Sequence, residues 1–328
     1  MARAWHLKSR PSGMPTLDNF ELREIELPPL ADGQVRVRNI WLSVDPYMRG
    51  RMNDVKSYVP PFQVGEPLEG GAIGEVVESR AEALRPGDLV QHMNGWRDEA
   101  VLDQRAANKL PPLSAPPEQF LGVLGVTGIT AYFGLLDAAR AKPGDIVFVS
   151  AAAGAVGSVV VQIAKAKGMT VIASAGGAEK CEWVRSLGAD HVIDYKAGPI
   201  LKGLAAAAPN GIDVYFDNVG GDHLDAALAV ARNNARFALC GMIEGYNDPT
   251  PPSLRFLARV IAARIMIKGF LVLDYFPRLA EFYGEMAPWV AHGTVKPRET
   301  VVDGLEHTPN AFLGLFSGEN TGKMLVRL

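Results

Sequence analysis

Val147-Phe148-Val149-Ser150-Ala151-Ala152-Ala153-Gly154-Ala155-Val156-Gly157 runs from a β-branched stretch into a row of small residues, and a helical run from Ser158 to Lys167 follows at once. This order predicts a strand that turns sharply onto a helix N-terminus. Ala152, Gly154 and Gly157 fall at the three small positions of a dinucleotide fingerprint, which serve a tight turn, close backbone approach to a pyrophosphate and close helix–strand packing. A glycine-rich turn alone is shared by ordinary α/β crossovers. The surroundings argue for a nucleotide: the apolar helix Val159-Val160-Val161-Gln162-Ile163-Ala164 follows, Gly168 stops it, and a second apolar strand occupies Thr170 to Ala173.

The end of that second strand bears on which dinucleotide is bound. NAD sites place Asp or Glu about 20 residues beyond the loop for the ribose hydroxyls, whereas this strand ends in Ser174-Ala175-Gly176-Gly177 with Lys180 after it. A carboxylate there would repel a 2′-phosphate, while a serine hydroxyl, backbone amides and an ammonium would bind it. NADPH is the better fit. Without its position after the strand, Lys180 would read as an ordinary solvated helix-face lysine.

Composition narrows the class. The 328 residues suit two domains with ample apolar content for cores, and a formal net charge of −3 gives no electrostatic footprint for nucleic acid or an anionic membrane. Apolar runs are broken before they reach a membrane span, and no signal-peptide core follows Met1, so the expectation is a soluble, cytoplasmic protein with neither partner. Cys181 and Cys240 are too few for a disulfide scaffold or a four-thiolate zinc site and read as reduced, packed thiols.

Texture divides the chain. Residues 1 to about 115 carry Pro, Gly and short alternating runs such as Gln34-Val35-Arg36-Val37-Arg38-Asn39-Ile40, which predict a β-rich, barrel-like domain. From Gln119 strands near Ile146, Val171, Val192, Val214, Phe237 and Ile267 alternate with helices, the pattern of a doubly wound parallel sheet. Beyond the helix near Phe276 to His292 the chain becomes strand and loop again. The expected division is a barrel domain of residues 1–118 and 293–328 and a nucleotide domain of 119–292, with the substrate in the crevice between them.

The residues also resemble a known family, the zinc-independent medium-chain dehydrogenase/reductases, in the branch of leukotriene and prostaglandin reductases, alkenal double-bond reductases and curcumin-reductase-like enzymes. The resemblance is carried by Val44-Asp45-Pro46-Tyr47-Met48-Arg49-Gly50-Arg51-Met52, Ser150 to Gly168, Gly176 to Cys181, Asp194-Tyr195-Lys196, Phe216-Asp217-Asn218-Val219-Gly220-Gly221, Cys240 to Asn247 and Gly318 to Lys323. It implies a GroES-like barrel plus a Rossmann domain, NADPH as cofactor, a homodimer built through the edge of the nucleotide domain's sheet, and reduction of a carbon–carbon double bond conjugated to a carbonyl. It assigns Lys180 and Tyr195 to the 2′-phosphate and Gly154, Ala155, Val156 and Gly157 to the pyrophosphate. Thr130, Ser174, Asn218, Cys240, Gly241, Ile243, Phe270, Leu271, Val272, Asn320 and Gly322 complete the expected nucleotide and nicotinamide site. Read alone, Tyr195 serves equally as a loop cap, Phe270 as core, and Asn320-Thr321-Gly322 as a hairpin turn.

Zinc enzymes share this architecture, so the metal needs its own argument. A catalytic zinc takes three protein ligands, and two cysteines in one domain with histidines at no ligand spacing do not supply them; Gly65-Glu66-Pro67 stands where the zinc enzymes carry a His-Glu segment. No metal is expected. Alcohol oxidation then lacks its usual Lewis acid, whereas an enone needs only a neutral donor at the oxygen that becomes an enolate. By resemblance Tyr246 and Tyr47 are the candidate donors, and either could simply wall the pocket. Mammalian prostaglandin reductases carry a further tyrosine where this chain has Ala262, so their lipid preference is not carried over. An NADPH quinone reductase and a non-catalytic NADPH-binding protein are the alternative readings.

Overall fold

The computed structural model describes residues 1–248, 250 and 252–328. In chain order its strands are β1 (Ala2–Leu7), β2 (Phe20–Ile25), β3 (Gln34–Ser43), β4 (Ala72–Ser79), β5 (Leu89–His92), β6 (Glu99–Asp103), β7 (Asn108–Lys109), β8 (Ile146–Val149), β9 (Thr170–Ala175), β10 (His191–Asp194), β11 (Ile212–Asp217), β12 (Ala231–Leu239), β13 (Met266–Gly269), β14 (Glu299–Asp303) and β15 (Lys323–Arg327). The chain divides into two compact units: Met1–Leu121 with Glu299–Asn320 and Met324–Leu328, and Gly122–Arg298 with Thr321–Lys323.

In the first unit the long strand β3 organises an antiparallel sheet in the order β14-β15-β3-β4-β5-β7, with β6 also on β3, while β1 and β2 form a separate pair. The alternation read in β3 has a direct packing consequence. Val35 and Val37 are buried with Val76, Val90 and Leu102, while Arg36 and Arg38 lie on the other face beside Glu78 and Glu75. A second core forms where Phe20 stacks on Trp96 at 5.7 Å and Phe312 meets Trp96 edge-on at 5.8 Å. The short helix Tyr47–Arg51 packs onto this core through Met48.

The second unit is a six-stranded sheet in the order β10-β9-β8-β11-β12-β13. Every neighbouring pair is parallel. Counted within the unit this is 3-2-1-4-5-6, the dinucleotide-binding order, and the strands fall where the sequence places them. Aromatic residues carry the core: Phe148 stacks on Tyr215 at 5.0 Å, and Tyr215 meets Phe237 edge-on at 5.4 Å. The order in which strands are added changes side between β8 and β11, the switch point at which an open parallel sheet forms a crevice at its carboxyl ends. Among the described residues no helix is long and apolar enough to cross a membrane.

Candidate active site

The fingerprint loop is built by backbone. Ala151 takes a left-handed conformation, φ +47°, uncommon for a residue with a side chain, and its carbonyl accepts the Gly154 N–H at 2.9 Å. A Cβ on Gly157 would lie 2.4 Å from that carbonyl oxygen, so only glycine lets the helix Gly157–Ala166 start this close to the turn. At Gly154 the same contact would be 3.1 Å. Ala152 N–H donates to Ser174 O at 2.9 Å, tying the loop to β9, and Gly322 N–H donates to Ala153 O at 2.8 Å. Gly322 has φ +71°, and a Cβ there would sit 1.9 Å from Arg298 O. Gly154, Ala155, Val156 and Gly157 thus border the N-terminus of this helix, the kind of backbone position at which an anion can be bound.

At this switch point, Ser150 and Asn218 are mutually locked. Asn218 N–H donates to Ser150 Oγ at 2.9 Å, and Asn218 Nδ2 donates to Ser150 O at 2.8 Å. Beneath them Asp217, fully buried, accepts from Tyr215 Oη at 2.6 Å, Gly220 N at 2.8 Å and Val219 N at 2.9 Å. Burial pushes its carboxyl above the ordinary range against the pull of these donors, and burial likewise raises the Tyr215 hydroxyl. The carboxylate therefore organises the 217–220 turn and does not face a ligand.

Beyond β9, Lys180 lies half-buried on the helix Ala178–Ser186. Desolvation and the neighbouring charge of Lys196 both pull its pKa down. Two cations sharing one field are an anion site in electrostatic terms. Gly176 allows the closure, because a Cβ there would meet Tyr195 Oη at 2.7 Å and Lys196 Cε at 3.0 Å. Asp194 is the acid nearby, and its carboxylate is occupied by Gly177 N–H at 2.9 Å and Lys196 N–H at 3.0 Å. The Tyr195 ring stands edge-on to His223 at 5.3 Å. His223 is buried, burial draws its pKa down to about 4, and neither ring nitrogen has a partner among the described residues.

At the carboxyl ends of β12 and β13 a cavity of about 580 Å³ is lined by Cys240, Gly241, Met242, Tyr246, Phe270, Leu271 and Asp274, among others. Cys240 is a free thiol that burial and the charge of Asp217 push up to about 12, so it stays protonated and unreactive at neutral pH. Tyr246 folds back over Gly241, and Met242 N–H donates to its hydroxyl oxygen at 3.4 Å. Ile243 begins the turn that carries Tyr246. Phe270 meets Phe216 edge-on at 6.1 Å, so it is both cavity wall and core, and Val272 begins the helical turn after Leu271. Thr130 is less engaged with the crevice, since its hydroxyl donates to Val126 O at 2.7 Å within its own helix.

Tyr47 and Asn320 lie in the first unit. Tyr47 opens its short helix half-buried, within the fields of Asp45 and Arg51. Burial and Asp45 raise the hydroxyl pKa well above its usual value, so it remains a neutral O–H.

Comparison with known proteins follows the same two-part plan. Residues 3–110 match the profile described as the N-terminal domain of oxidoreductase, and residues 155–291 that of zinc-binding dehydrogenase. The chain is 43% identical over 333 residues to the NADPH-dependent curcumin reductase of Escherichia coli (strain K12), covering 99% of this chain and 96% of that protein. The chain belongs to the medium-chain dehydrogenase/reductase family. Within it, prostaglandin reductase 1 of Mus musculus is 40% identical over 332 residues, 99% of each chain. The crystal structure of CurA in complex with NADPH from Vibrio vulnificus superposes with a TM-score of 0.95 at 43% identity, covering 99% of this chain and 98% of that one. These relatives place the chain in the curcumin and prostaglandin reductase branch.

Although one matching profile is named for zinc, no group of three or more His, Cys, Asp or Glu among the described residues is placed to hold a metal ion. In this family member a dinucleotide fits the residues present. At Gly157 the turn has no room for a side chain, and Ser174 Oγ is buried at the end of β9 without a partner among the described residues. Reading the sequence missed Asp217, Ser150 and Lys196. Lys196 had a usable signal, a second cation just after Tyr195, whereas the other two act through side chains that meet only once the chain folds.

Proposed function

We propose that this protein reduces the carbon–carbon double bond of α,β-unsaturated ketones and aldehydes. It is an NADPH-dependent oxidoreductase of the medium-chain family. The observation that carries the substrate class is the cavity at the carboxyl ends of β12 and β13, where the Tyr246 hydroxyl lies beside Gly241 among apolar walls. Bound NADPH supplies the hydride, which adds to the alkene carbon β to the carbonyl.

The chain's own residues do the rest. The Gly154–Gly157 turn and its helix N-terminus hold the pyrophosphate, while Lys180, Tyr195 and Lys196 bind the 2′-phosphate. As the enone becomes an enolate, a hydrogen bond from Tyr246 or Tyr47 stabilises the oxygen, and no metal is required for that charge. The protein acts as a homodimer joined along β13: this strand ends the sheet, and Ile267, Leu257 and Ile261 near it are 36%, 52% and 84% exposed.

The experiment follows NADPH absorbance with a small enone, with a quinone, and with neither. Rapid loss with the enone alone is the expected result. Turnover restricted to the quinone would make it a quinone reductase, and no turnover with either would make it a nucleotide-binding protein.

A further inference from the structure

The cavity at the carboxyl ends of β12 and β13 carries one charged side chain. Its other walls, Met242, Phe270 and Leu271 among them, are apolar, and its uncharged polar side chains are the Tyr246 phenol and the Cys240 thiol, which burial keeps protonated. The exception is Asp274, and among the described residues no Lys, Arg or His lines the cavity with it. A lone carboxylate on an apolar wall sets the sign of the field that an entering molecule meets.

The fold holds Asp274 in place and leaves it uncompensated. It lies on the helical turn Val272–Arg278, where its N–H donates to Leu271 O at 3.2 Å. The next residue, Tyr275, anchors that turn: it is buried, stacks on Phe133 at 4.6 Å and donates its hydroxyl to Asp137 at 2.9 Å. The two cations of this stretch are engaged by other acids, Arg278 by Asp137 and Glu281, each at 2.9 Å, and Lys268 by Asp137 at 4.0 Å. The Asp274 carboxylate has neither an ion pair nor a hydrogen bond among the described residues.

We propose that Asp274 is a specificity-determining residue that makes the cavity select neutral enones over enones carrying a carboxylate. The inference rests on the reading of this cavity as the enone site. A carboxylate brought in beside Asp274 meets a like charge across a medium of lower dielectric than water, and it loses its own hydration against the apolar walls. Both effects raise its free energy relative to an ester of nearly the same shape. Asp274 is exposed, so salt screens its charge and keeps the effect moderate.

The test compares 7-oxooct-5-enoic acid with its methyl ester under saturating NADPH. Methylene groups insulate the enone from the end group, so the intrinsic reactivity of the alkene is the same in both. The readout is the ratio of kcat/KM, ester over acid, within each enzyme. Wild type should favour the ester by about tenfold or more at low salt, with the difference in KM, because the end group is felt alike in ground and transition states. Asp274→Asn keeps the shape and should lower the ratio by about fivefold, and Asp274→Lys should lower it further. In wild type, about 0.5 M NaCl should narrow the ratio in the same direction, a check that needs no variant. A ratio equal in all three enzymes and indifferent to salt would overturn the inference, since desolvation by the apolar walls would then explain the preference alone. Wild type reducing the acid as well as the ester would overturn it too. Reduction of neither compound by wild type would instead remove the enone reading, and the role of Asp274 with it.

Discussion

On the proposed reading, the fingerprint loop and the Tyr47 segment solve the same problem, holding a ligand group in place, with different materials. Around Gly154 and Gly157 the work is done by backbone: a left-handed Ala151, amides at a helix start, and missing Cβ atoms where a carbonyl approaches. Around Tyr47 it is done by side-chain charge, with the buried Arg51 paired to Glu69 at 2.8 Å and the Asp45 charge near the phenol. Backbone sites depend on local sequence and tolerate no added bulk. Side-chain sites depend on partners distant in the chain and tolerate shape-preserving changes that silence them chemically. The two regions should therefore fail differently when altered.

The largest effects belong to the tyrosines. Replacing Tyr246 or Tyr47 by Phe keeps each ring and should slow hydride transfer by about ten- to a thousandfold in whichever variant loses the enolate donor, with melting temperature and NADPH affinity barely moved. Stopped-flow absorbance on both variants assigns the role. If neither slows, solvent or cofactor hydroxyls carry the enolate and the side-chain half of the comparison fails.

Next is Lys180→Ala, expected to weaken NADPH by about tenfold to a hundredfold, since a charge-assisted bond to phosphate is worth about 1.5–3 kcal/mol. NADH affinity should stay nearly constant in a fluorescence titration, and equal losses for both cofactors would refute a 2′-phosphate role. Because desolvation and Lys196 lower the Lys180 pKa, its proton leaves earlier than that of an ordinary lysine as pH rises. The preference for NADPH over NADH should accordingly shrink on the alkaline side.

Gly157→Ala should cost about 1–3 kcal/mol of stability by overpacking against the Ala151 carbonyl, read as a lower melting temperature with weakened binding of both cofactors. Gly154→Ala, with a looser 3.1 Å contact, should cost less. Equal tolerance at both positions would mean that the loop relaxes and that the backbone account is too rigid. The smallest expected effect is none: prolonged chelation should leave turnover intact, and activity lost to a chelator and restored by zinc would overturn the metal-free chemistry.

The contrast between backbone and side-chain sites also explains what could be read in advance. The parallel sheet was legible because each strand from Ile146 to Gly269 is apolar and bounded by glycine or charge, and the fingerprint was legible because its constraints lie within eight residues of one another. Lys180 stood out by its distance from the loop. Asp217 did not, since its acceptor role depends on Tyr215 in its own strand, Ser150 on the next and a turn that folds back onto it. The Arg51–Glu69 pair was hidden for the same reason: Glu69 lies 18 positions away and nothing in the spacing pairs them. His223 shows the limit from the other side, a residue whose unpartnered nitrogens emerge only once Phe148 and Tyr195 close around it.

The most direct test of the proposed chemistry is to follow the hydride itself. With NADPH deuterated at the transferred position and 3-penten-2-one as acceptor, the product should be the saturated ketone, with deuterium on the carbon β to the carbonyl and a solvent-derived proton on the α carbon, as read by NMR. Deuterium on the former carbonyl carbon, in an allylic alcohol, would contradict the account.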